Sequence, residues 1–424
     1  MKSVGSAPSA ASPNAQGPAP NRGFSLERRK HATLIFGLTL LALCGCLSWR
    51  QPTPDKLDPP AQFPSWKWFF YPHEINPENR PPKQKRPLRA VAVVPGSGGQ
   101  SAFAVGDHGT VLETTDAGEN WKLRLLSVDA SFSDVSFTDS KNGLIVGSDN
   151  SSTGIVLLTT DGGAHWIEHR IGSSRKIDSV AAANGQTAWA ISQYGNLLYT
   201  TNGGGTWNSM PIGMLISRAS DASNERLTRT SFVDTQTGWA VTNLGTILFT
   251  LDAGANWRRQ KDAAWWIGRP VDTPTSSNPS KNASAGARLA YPVGEMDPKT
   301  RAANFALLDV IGGNNLVAWA FGANGIILST TDGGTHWTPQ ARPTNETLLR
   351  ASFADLHTGW AVGNRGAILH TIDGGAHWTL QATANQTLNG VAAANPQAAW
   401  VVGPYTIRYT SDGGAHWAPQ EYAG

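Results

Sequence analysis

The chain is poor in cysteine and in charged residues. Only two of its 424 residues are cysteines, Cys44 and Cys46, and both precede the repeats described below. We therefore expect neither disulfide bonds nor thiol chemistry in the repeat region. Charged residues make up 15% of the sequence, and the formal net charge is only +3. A charge this small does not indicate a nucleic-acid partner. Helix signals are nearly absent from the repeats, which favours an all-β fold.

The chain is rich in one repeated turn of the form Thr/Ser-x-Asp-x-Gly-x-x-Trp. Most copies are about 40 residues apart, a period typical of a propeller or a solenoid. The acidic position, with one amide exception, is occupied by Asp116, Asp161, Asn202, Asp252, Asp332, Asp373 and Asp412. The tryptophan that follows is Trp121, Trp166, Trp207, Trp257, Trp337, Trp378 and Trp417. One supersecondary unit is therefore predicted to recur around each turn.

The repeating unit is predicted to contain four short strands. In residues 349–381, apolar or alternating runs at 350–355, 360–363, 367–371 and 377–381 are separated by Gly, Asn and Asp. This is the pattern of successive hairpins. A four-stranded blade cannot bury both faces alone, so blades stack around an axis. We therefore predict a β-propeller of four-stranded antiparallel blades.

The blade count depends on one irregular interval. Trp257 and Trp337 lie twice the usual distance apart, and residues 258–304 lack strand alternation and include Pro-Thr-Ser-Ser-Asn-Pro. We interpret this segment as a loop inserted into a seven-bladed propeller that spans residues 87–424. The first blade is expected at 87–126 and the last at 383–424. Each end carries a complete set of strands, so closure by a swapped strand is an open alternative without direct support.

The repeated turn resembles the Asp-box, a hairpin between the third and fourth strands of certain propeller blades. The segments Thr330–Trp337 and Thr371–Trp378 match it most closely. In this motif the carboxylate accepts hydrogen bonds from its own turn, Gly supplies positive φ, and Trp fills the gap between blades. Asn202 keeps the acceptor oxygen, so its blade should also close. The repeated Asp is therefore predicted to be structural rather than catalytic.

Other polar residues recur with the repeat and do not indicate a metal site. Symmetry spreads the repeated histidines around the rim, which argues against a zinc cluster; these are His165, His336, His377 and His416. Three further acids occur in Phe-x-Asp-x-x-x-Gly turns and are expected to cap those turns; these are Asp139, Asp234 and Asp355. No metal and no cofactor is predicted.

The N-terminal region has a different composition. Residues 1–31 are predicted to be a disordered cytoplasmic segment, and the apolar run 32–49 a transmembrane signal-anchor. A Pro-rich linker, 50–86, would lead to a propeller in the periplasm of a bacterium, held at the inner membrane by this single span. A cleaved signal peptide, or a lipoprotein acylated at Cys46, are the alternatives. The aromatic run 66–71 would lie at the membrane interface or pack against the propeller.

The blades resemble those of the photosystem II stability and assembly-factor propellers. The similarity rests on near-uniform Asp-box blades and on the Gly-Trp-Ala-Val sequences at 238–241 and 359–362. The resemblance covers residues 87–424 apart from the insertion. It implies a non-catalytic scaffold that binds a membrane-protein client or a precursor peptide and assists the assembly or stability of a membrane complex.

Cationic residues indicate where such a partner would bind. Chain segments that begin the inner strands, and turns between second and third strands, should share one face of the ring. The predicted binding residues are Arg89, Arg229, Arg350, Arg365, Arg175 and Lys176, with Tyr194 and Tyr405 as aromatic contacts. Arginine at such positions can hold carboxylates in bidentate fashion. Ordinary solvated surface is the alternative interpretation of the same residues.

An enzyme is the competing hypothesis. Glycosidases need two carboxyl groups about 5 to 10 Å apart, and Asp134 and Asp178 near adjacent inner strands are the candidates. A sialidase-like propeller would also need an arginine cluster and usually an Arg-Ile-Pro segment, which the chain lacks. A carbohydrate-binding envelope propeller would use the abundant tryptophans, but these are better assigned to the core. We therefore predict that the chain is not an enzyme.

Overall fold

Seven four-stranded antiparallel sheets make up the described part of the chain. The computed structural model describes residues 85–124, 126, 128–210, 225–260, 304–382 and 385–422. The predicted all-β, seven-bladed architecture is therefore confirmed. The predicted anchor, residues 1–31, most of the linker and most of the insertion lie outside the described residues.

Blades 1 to 4 each contain four consecutive strands. Blade 1 consists of β1 (Leu88–Val93), β2 (Ala102–Gly106), β3 (Val111–Thr114) and β4 (Lys122–Leu123). Blade 2 consists of β5 (Ala130–Phe137), β6 (Gly143–Asp149), β7 (Thr153–Thr159) and β8 (Ile167–Arg175). Blade 3 consists of β9 (Ile177–Ala182), β10 (Ala188–Ser192), β11 (Leu197–Thr200) and β12 (Asn208–Met210). Blade 4 consists of β13 (Leu227–Phe232), β14 (Gly238–Thr242), β15 (Ile247–Thr250) and β16 (Arg258–Arg259).

Blades 5 to 7 follow the same plan. Blade 5 consists of β17 (Leu307–Gly312), β18 (Ala318–Gly322), β19 (Ile327–Thr330) and β20 (Thr338–Pro339). Blade 6 consists of β21 (Leu348–Phe353), β22 (Gly359–Gly363), β23 (Ile368–Thr371) and β24 (Thr379–Ala382). Blade 7 consists of β25 (Gly390–Asn395), β26 (Ala398–Gly403), β27 (Thr406–Thr410) and β28 (Ala418–Gln420). Short 3-10 turns occur at Ala323–Gly325 and Asn364–Gly366.

Strand boundaries agree with the sequence pattern to within a few residues. All four strands predicted in blade 6 are present, and each predicted boundary differs by two residues or fewer. Arg258 and Arg259 form β16, the last strand of blade 4, although the predicted insertion begins at residue 258. The connection to blade 5 therefore starts after Gln260, because the two arginines pair with Leu248 and Phe249.

The core lies between neighbouring blades rather than inside any one of them. The described residues form seven clusters of buried side chains, and each cluster contains residues from two adjacent blades. Between blades 4 and 5, for example, Trp239 packs with Leu307 and Trp337, all nearly inaccessible to solvent. Because each blade buries apolar area only against its neighbours, the fold is stable only as a ring.

The Gly-Trp-Ala-Val sequences have a steric explanation. A Cβ atom on Gly359 would lie 2.6 Å from the ring of Phe353, so a larger residue would displace that ring. The displacement matters because Phe353 stacks on Trp319 of the preceding blade, with ring centroids 3.9 Å apart. Glycine at the start of the second strand therefore permits an aromatic contact between blades.

Each Asp-box is closed by hydrogen bonds of its own turn. In blade 6, the Thr371 hydroxyl donates to Oδ1 of Asp373 (2.9 Å) and accepts from the N–H of Gly375 (2.9 Å). The N–H of His377 donates to the same Oδ1 (2.9 Å), and His377 Nδ1 lies 2.7 Å from Oδ2. The turn is therefore held by local contacts that need no bound ion.

The same contacts recur in the other blades. In blade 3, Asn202 Oδ1 accepts from the Thr206 N–H (2.9 Å) and from the Thr200 hydroxyl (2.9 Å). His165, His336 and His416 each place Nδ1 at 2.6–2.7 Å from the carboxylate of their own turn. No group of three or more metal-binding side chains occurs in the described part of the chain. Asp139, Asp234 and Asp355 each accept two backbone N–H bonds at 2.6–2.8 Å in the turn after the inner strand.

Blade 7 joins blade 1 side by side. Trp121 Nε1 donates to Oε1 of Gln420 (2.9 Å), and Tyr422 forms a parallel bridge with Trp121. On the inner side, Asn389 Nδ2 donates to the carbonyl of Leu88 (2.9 Å). Every sheet is built from four consecutive strands. Within the described residues, the ring therefore closes without a swapped strand.

The turns of the propeller define two faces. On one, which we call the Asp-box face, each Asp-box touches the turn between the first and second strands, as when Gly374 N donates to the carbonyl of His357 (2.8 Å). On the other, the cationic face, the turn between the second and third strands touches the start of the inner strand, as when Asn364 N donates to the carbonyl of Thr347 (3.0 Å). The described residues include no helix of the length and apolarity that a bilayer span needs.

Candidate functional site

The first strands of all seven blades surround a central channel with a cavity of about 330 Å³. In each of these strands one residue occupies the same position in the register with the second strand. These equivalent residues are Ala90, Asp134, Ser179, Arg229, Asp309, Arg350 and Gly390. Four of them carry charge, and all four line the channel. The channel wall therefore carries two cations and two anions at equivalent positions.

Asp134 and Asp309 both join neighbouring blades. Oδ2 of Asp134 accepts from the N–H of Val180 in blade 3 (3.0 Å). Oδ2 of Asp309 accepts from the N–H of Ala351 in blade 6 (2.7 Å). Each carboxylate is almost fully buried, and such a group is stable only with hydrogen bonds and a counter-charge. The backbone supplies the hydrogen bonds.

Arg229 supplies the counter-charge for both carboxylates. Its Nη1 lies 2.8 Å from Oδ2 of Asp134, and its Nε lies 3.3 Å from Oδ1 of Asp309. Burial alone would lower the pKa of Arg229, but the attraction of these two carboxylates outweighs burial and raises it. Arg229 therefore links blades 2, 4 and 5 across the channel as a permanent cation.

Arg350 has the same position in blade 6 but a different environment. Its Nη1 donates to the carbonyl of Leu349 (2.7 Å), while its Nε is buried without a hydrogen-bond partner. Burial, followed by repulsion from Arg229, lowers the pKa of Arg350 to about 10, so it stays protonated at neutral pH. The equivalent residues of the next two blades in the ring are Gly390 and Ala90, which leave space beside it. Arg350 is therefore the channel cation best placed to meet a ligand carboxylate.

Other predicted binding residues lie around the cationic face. Arg89 forms two hydrogen bonds with Asp107 (2.6 and 3.1 Å), and Lys176 lies 3.3 Å from Asp178. The Arg365 side chain is 82% exposed, 3.4 Å from Glu346. Arg89, Lys176 and Arg365 belong to three different blades. The cationic face therefore carries partly neutralised charges around the channel mouth rather than one dense cluster.

For the remaining predicted residues, the structure shows only their position in the blade and, for the tyrosines, their exposure. Tyr194 and Tyr405 are more than half exposed in the turns between second and third strands, as their spacing indicates. Arg175 ends β8, and its side chain lies outside the described residues. Whether any of these residues binds a partner stays a prediction.

The two carboxylates proposed for an enzyme have separate partners. Asp134 pairs with Arg229 inside the channel, and Asp178 lies beside Lys176 with 41% of its side chain exposed. The second buried channel carboxylate is instead Asp309, which the sequence analysis did not select. The sequence contained a signal for Asp309, because Asp134-Val135 and Asp309-Val310 occupy the same place in their strands.

Parts of this chain are similar to known proteins. The model of a family described as photosynthesis system II assembly factor YCF48 matches residues 125–265 and 335–422, together more than half of the chain. The photosystem II assembly lipoprotein Ycf48 of Synechococcus sp. strain CC9902 is 33% identical over 105 residues. That match spans 23% of this chain and 28% of the relative, so it covers only about a quarter of either protein.

Solved structures show the same fold at low identity. YCF48 bound to D1 peptide is 17% identical, with a TM-score of 0.53 over 78% of this chain and 95% of the other. YCF48 from Cyanidioschyzon merolae is 18% identical, with a TM-score of 0.54 over 78% and 97%. The GH74 xyloglucanase from Xanthomonas campestris is 12% identical, with a TM-score of 0.54 over 81% and 55%. Fold similarity does not separate these proteins, but the match to the family model does: the chain belongs to the YCF48 family of photosynthesis system II assembly factors.

Proposed function

We propose that this chain is a non-catalytic, membrane-tethered scaffold that binds a carboxylate-bearing segment of a membrane-protein client. The segment would approach the cationic face and place a carboxylate beside Arg350. The observation that carries the proposal is the contrast between two equivalent arginines, since Arg229 is held by two carboxylates and Arg350 has an unpartnered Nε. Family membership supports the role, and a D1 peptide is what one solved relative binds.

Arg365 would extend the same contact to the surface. It lies in blade 6, the blade of Arg350, at the turn between the second and third strands. Its backbone has φ of 50°, a left-handed conformation that is costly for a residue with a long side chain. Strain of this kind accumulates at functional positions. Together the two arginines would hold an acidic peptide that enters the channel mouth.

A binding experiment with matched variants tests this proposal. A labelled D1 peptide with a free terminal carboxylate should bind the wild type, and the Arg350→Gln/Arg365→Ala variant at least tenfold more weakly, a loss of about 1.4 kcal/mol. The control variant Lys122→Ala/Lys141→Ala removes the same charge from exposed positions elsewhere and should bind normally. Equal affinity of the wild type and the Arg350/Arg365 variant would overturn the proposal, as would equal loss in the control.

The enzyme hypothesis has weaker support. GH74 enzymes share the fold, but both buried channel carboxylates here already accept backbone N–H bonds and share Arg229. A carboxylate held in this way is poorly placed to act as an acid or nucleophile. Release of sugar from xyloglucan or other glycosides, abolished by Asp134→Asn in a folded protein, would reverse this conclusion.

The membrane tether would come from the N-terminal region. The apolar run 32–49 is long enough to serve as a signal-anchor with the propeller in the periplasm, whereas the lipoprotein named among the relatives favours acylation at Cys46. Fractionation of a Cys46→Ser variant separates the two mechanisms. A variant that stays in the membrane indicates the span, and one released to the soluble fraction indicates the lipid.

A further inference from the structure

Three aliphatic side chains are exposed together on the Asp-box face of blades 5 and 6. Leu316 is 52% exposed, Leu356 40% and Ile372 71%. We call these three residues the aliphatic patch. Leu251, at the position of Ile372 in blade 4, is also 64% exposed. Clustered exposed apolar side chains on a soluble domain commonly mark an interaction site.

Backbone contacts place the patch residues on one continuous surface. The carbonyl of Leu316 accepts from the N–H of Gly333, in the Asp-box of blade 5 (2.9 Å). A Cβ atom on Gly313 would lie 2.6 Å from a methyl group of Leu356, so this side chain covers the blade 5 turn. Ile372 lies in the Asp-box whose Gly374 N–H donates to the carbonyl of His357, in the turn that carries Leu356. The patch therefore spans the junction of the two blades.

Other blades carry polar or small residues at these positions. The backbone carbonyl of Leu316 accepts a hydrogen bond from the Asp-box. In the other blades the residue with the equivalent carbonyl is Gln100, Lys141, Gln186, Gln236, His357 or Gln397. The Leu356 position is occupied elsewhere by Ser140, Gly185, Thr235, Asn315 and Pro396. The Ile372 position is a threonine or serine in five blades, at Thr115, Thr160, Thr201, Thr331 and Ser411. Folding of a blade thus does not require aliphatic residues here.

Charge around the patch limits what can cover it. Asp355 and Asp373 lie in its turns, and hydrogen bonds within those turns lower the pKa of both, in Asp373 to about 2. Within the described turns of blades 4 to 7, the Asp-box face has no lysine or arginine. An anionic lipid surface or a second copy of this same face would meet like charge.

We propose that the aliphatic patch binds a protein segment that presents aliphatic or aromatic side chains next to lysine or arginine. Its apolar groups would cover Leu316, Leu356 and Ile372, and its cations would face Asp355 and Asp373. This contact uses the face opposite Arg350 and Arg365. It goes beyond the proposed function and gives the scaffold a second partner, bound independently of the first.

A triple variant that carries residue types found at the same positions of other blades tests whether the aliphatic patch binds such a segment. Leu316→Gln, Leu356→Ser and Ile372→Thr each install a residue type already present at that position. A short fluorescent peptide of alternating leucine and lysine should bind the wild type, and the triple variant at least tenfold more weakly. Peptides that alternate leucine with glutamate, or serine with lysine, should bind the wild type at least tenfold more weakly than the first peptide.

Control variants separate the patch from general apolar exposure, from unfolding and from the other face. Ile167→Thr removes a side chain that is 57% exposed on blade 2 and should leave binding unchanged, as should Arg350→Gln/Arg365→Ala. The single variant Ile372→Thr keeps the test valid if the triple variant melts early. Equal binding by the wild type and these patch variants overturns the proposal. So does a wild-type dimer in sedimentation, or flotation with phosphatidylglycerol vesicles, that the triple variant loses.

Discussion

Arg229 and Arg350 show how one position in the repeat acquires two roles. Both follow the same irregularity in the inner strand and enter the same channel. Arg229 lies between the carboxylates of Asp134 and Asp309, whereas Arg350 is next to blades with small residues. The role of the arginine at this position is therefore decided by the equivalent residues one or two blades away. Stability of the fold should depend on Arg229, and ligand binding on Arg350.

Removal of Arg229 should be the more damaging change to the fold. Arg229→Ala leaves two buried carboxylates without a counter-charge, which typically costs about 3–5 kcal/mol. Arg350→Gln removes a cation that pairs with no carboxylate and should cost less than about 1 kcal/mol. Urea denaturation of both variants measures the difference. Similar losses of unfolding free energy would contradict the assigned roles.

Replacement of Arg365 should raise the stability of the fold rather than lower it. Asn324 occupies the equivalent turn of blade 5, with φ of 54° against 50° for Arg365. Asparagine tolerates this conformation better, so Arg365→Asn should raise stability by about 0.5–1 kcal/mol. The surface ion pair with Glu346 is too exposed to offset that gain. Thermal unfolding measures the change, and a lower melting temperature would show that the ion pair dominates.

The sequence pattern identified the two channel arginines, Arg229 and Arg350, but wrongly grouped Arg89 with them. Arg89 directly follows Leu88, whereas Arg229 and Arg350 lie two positions after Leu227 and Leu348. The residue equivalent to these two arginines is therefore Ala90. A shift of one residue moves a side chain to the other face of a strand, and Arg89 pairs with Asp107 instead. The same irregularity follows the leucine in all three strands, so the distance from that leucine was the signal that separates Arg89 from the channel arginines.

At the scale of the turn, the Asp-box should make stability sensitive to acid. Hydrogen bonds from the residue four positions later lower the pKa of Asp116, Asp161, Asp373 and Asp412 to about 2, from an ordinary 3.8. Because these pKa values are depressed in the folded state, the stabilisation is complete above the ordinary value and is lost as pH falls towards 2. Melting temperature should therefore drop most between about pH 4 and 2.

Asparagine variants provide the control for this effect. Asn202 shows that an amide oxygen can hold the turn without a titratable group. Asp373→Asn/Asp412→Asn should keep the fold and show a smaller decrease in melting temperature over the same pH range. An unchanged pH profile would mean that carboxylates other than those of the Asp-boxes govern acid unfolding.

Elements were predicted well where the pattern is local. Alternation and Gly-Asp turns mark each strand, and the four strands of blade 6 lie where the sequence places them. The short outer strand β16 was taken for part of the insertion, because two arginines show no alternation. Its pairing with β15 depends on the neighbouring strand and not on its own composition.

At the scale of the ring, the junction between blades 7 and 1 should be a critical contact. Tyr422 is only 6% exposed and bridges to Trp121. Tyr422→Ala should cost about 3 kcal/mol through loss of buried aromatic area. Tyr405→Ala, in the same blade but 56% exposed, should change stability by less than about 0.5 kcal/mol. Equal melting temperatures for the two variants would show that closure does not depend on this contact.

The number of blades followed from the repeat period, but the network across the channel did not. Asp134 and Arg229 are 95 positions apart, and Asp309 lies a further blade away. Contacts between residues so far apart in the sequence form only when the ring closes, so no spacing in the sequence predicts them. The Asp-box contacts, in contrast, span four residues and are evident from the motif alone.

Side-by-side closure has a consequence for the order in which the blades are encoded. Lys85 and Glu421 lie 3.0 Å apart, so the two ends of the described chain meet at one junction. Every other junction is built from the same kind of lateral packing. A gene rearranged to join these ends and to start at another blade should therefore encode the same ring, with Arg350 and the aliphatic patch in their original places.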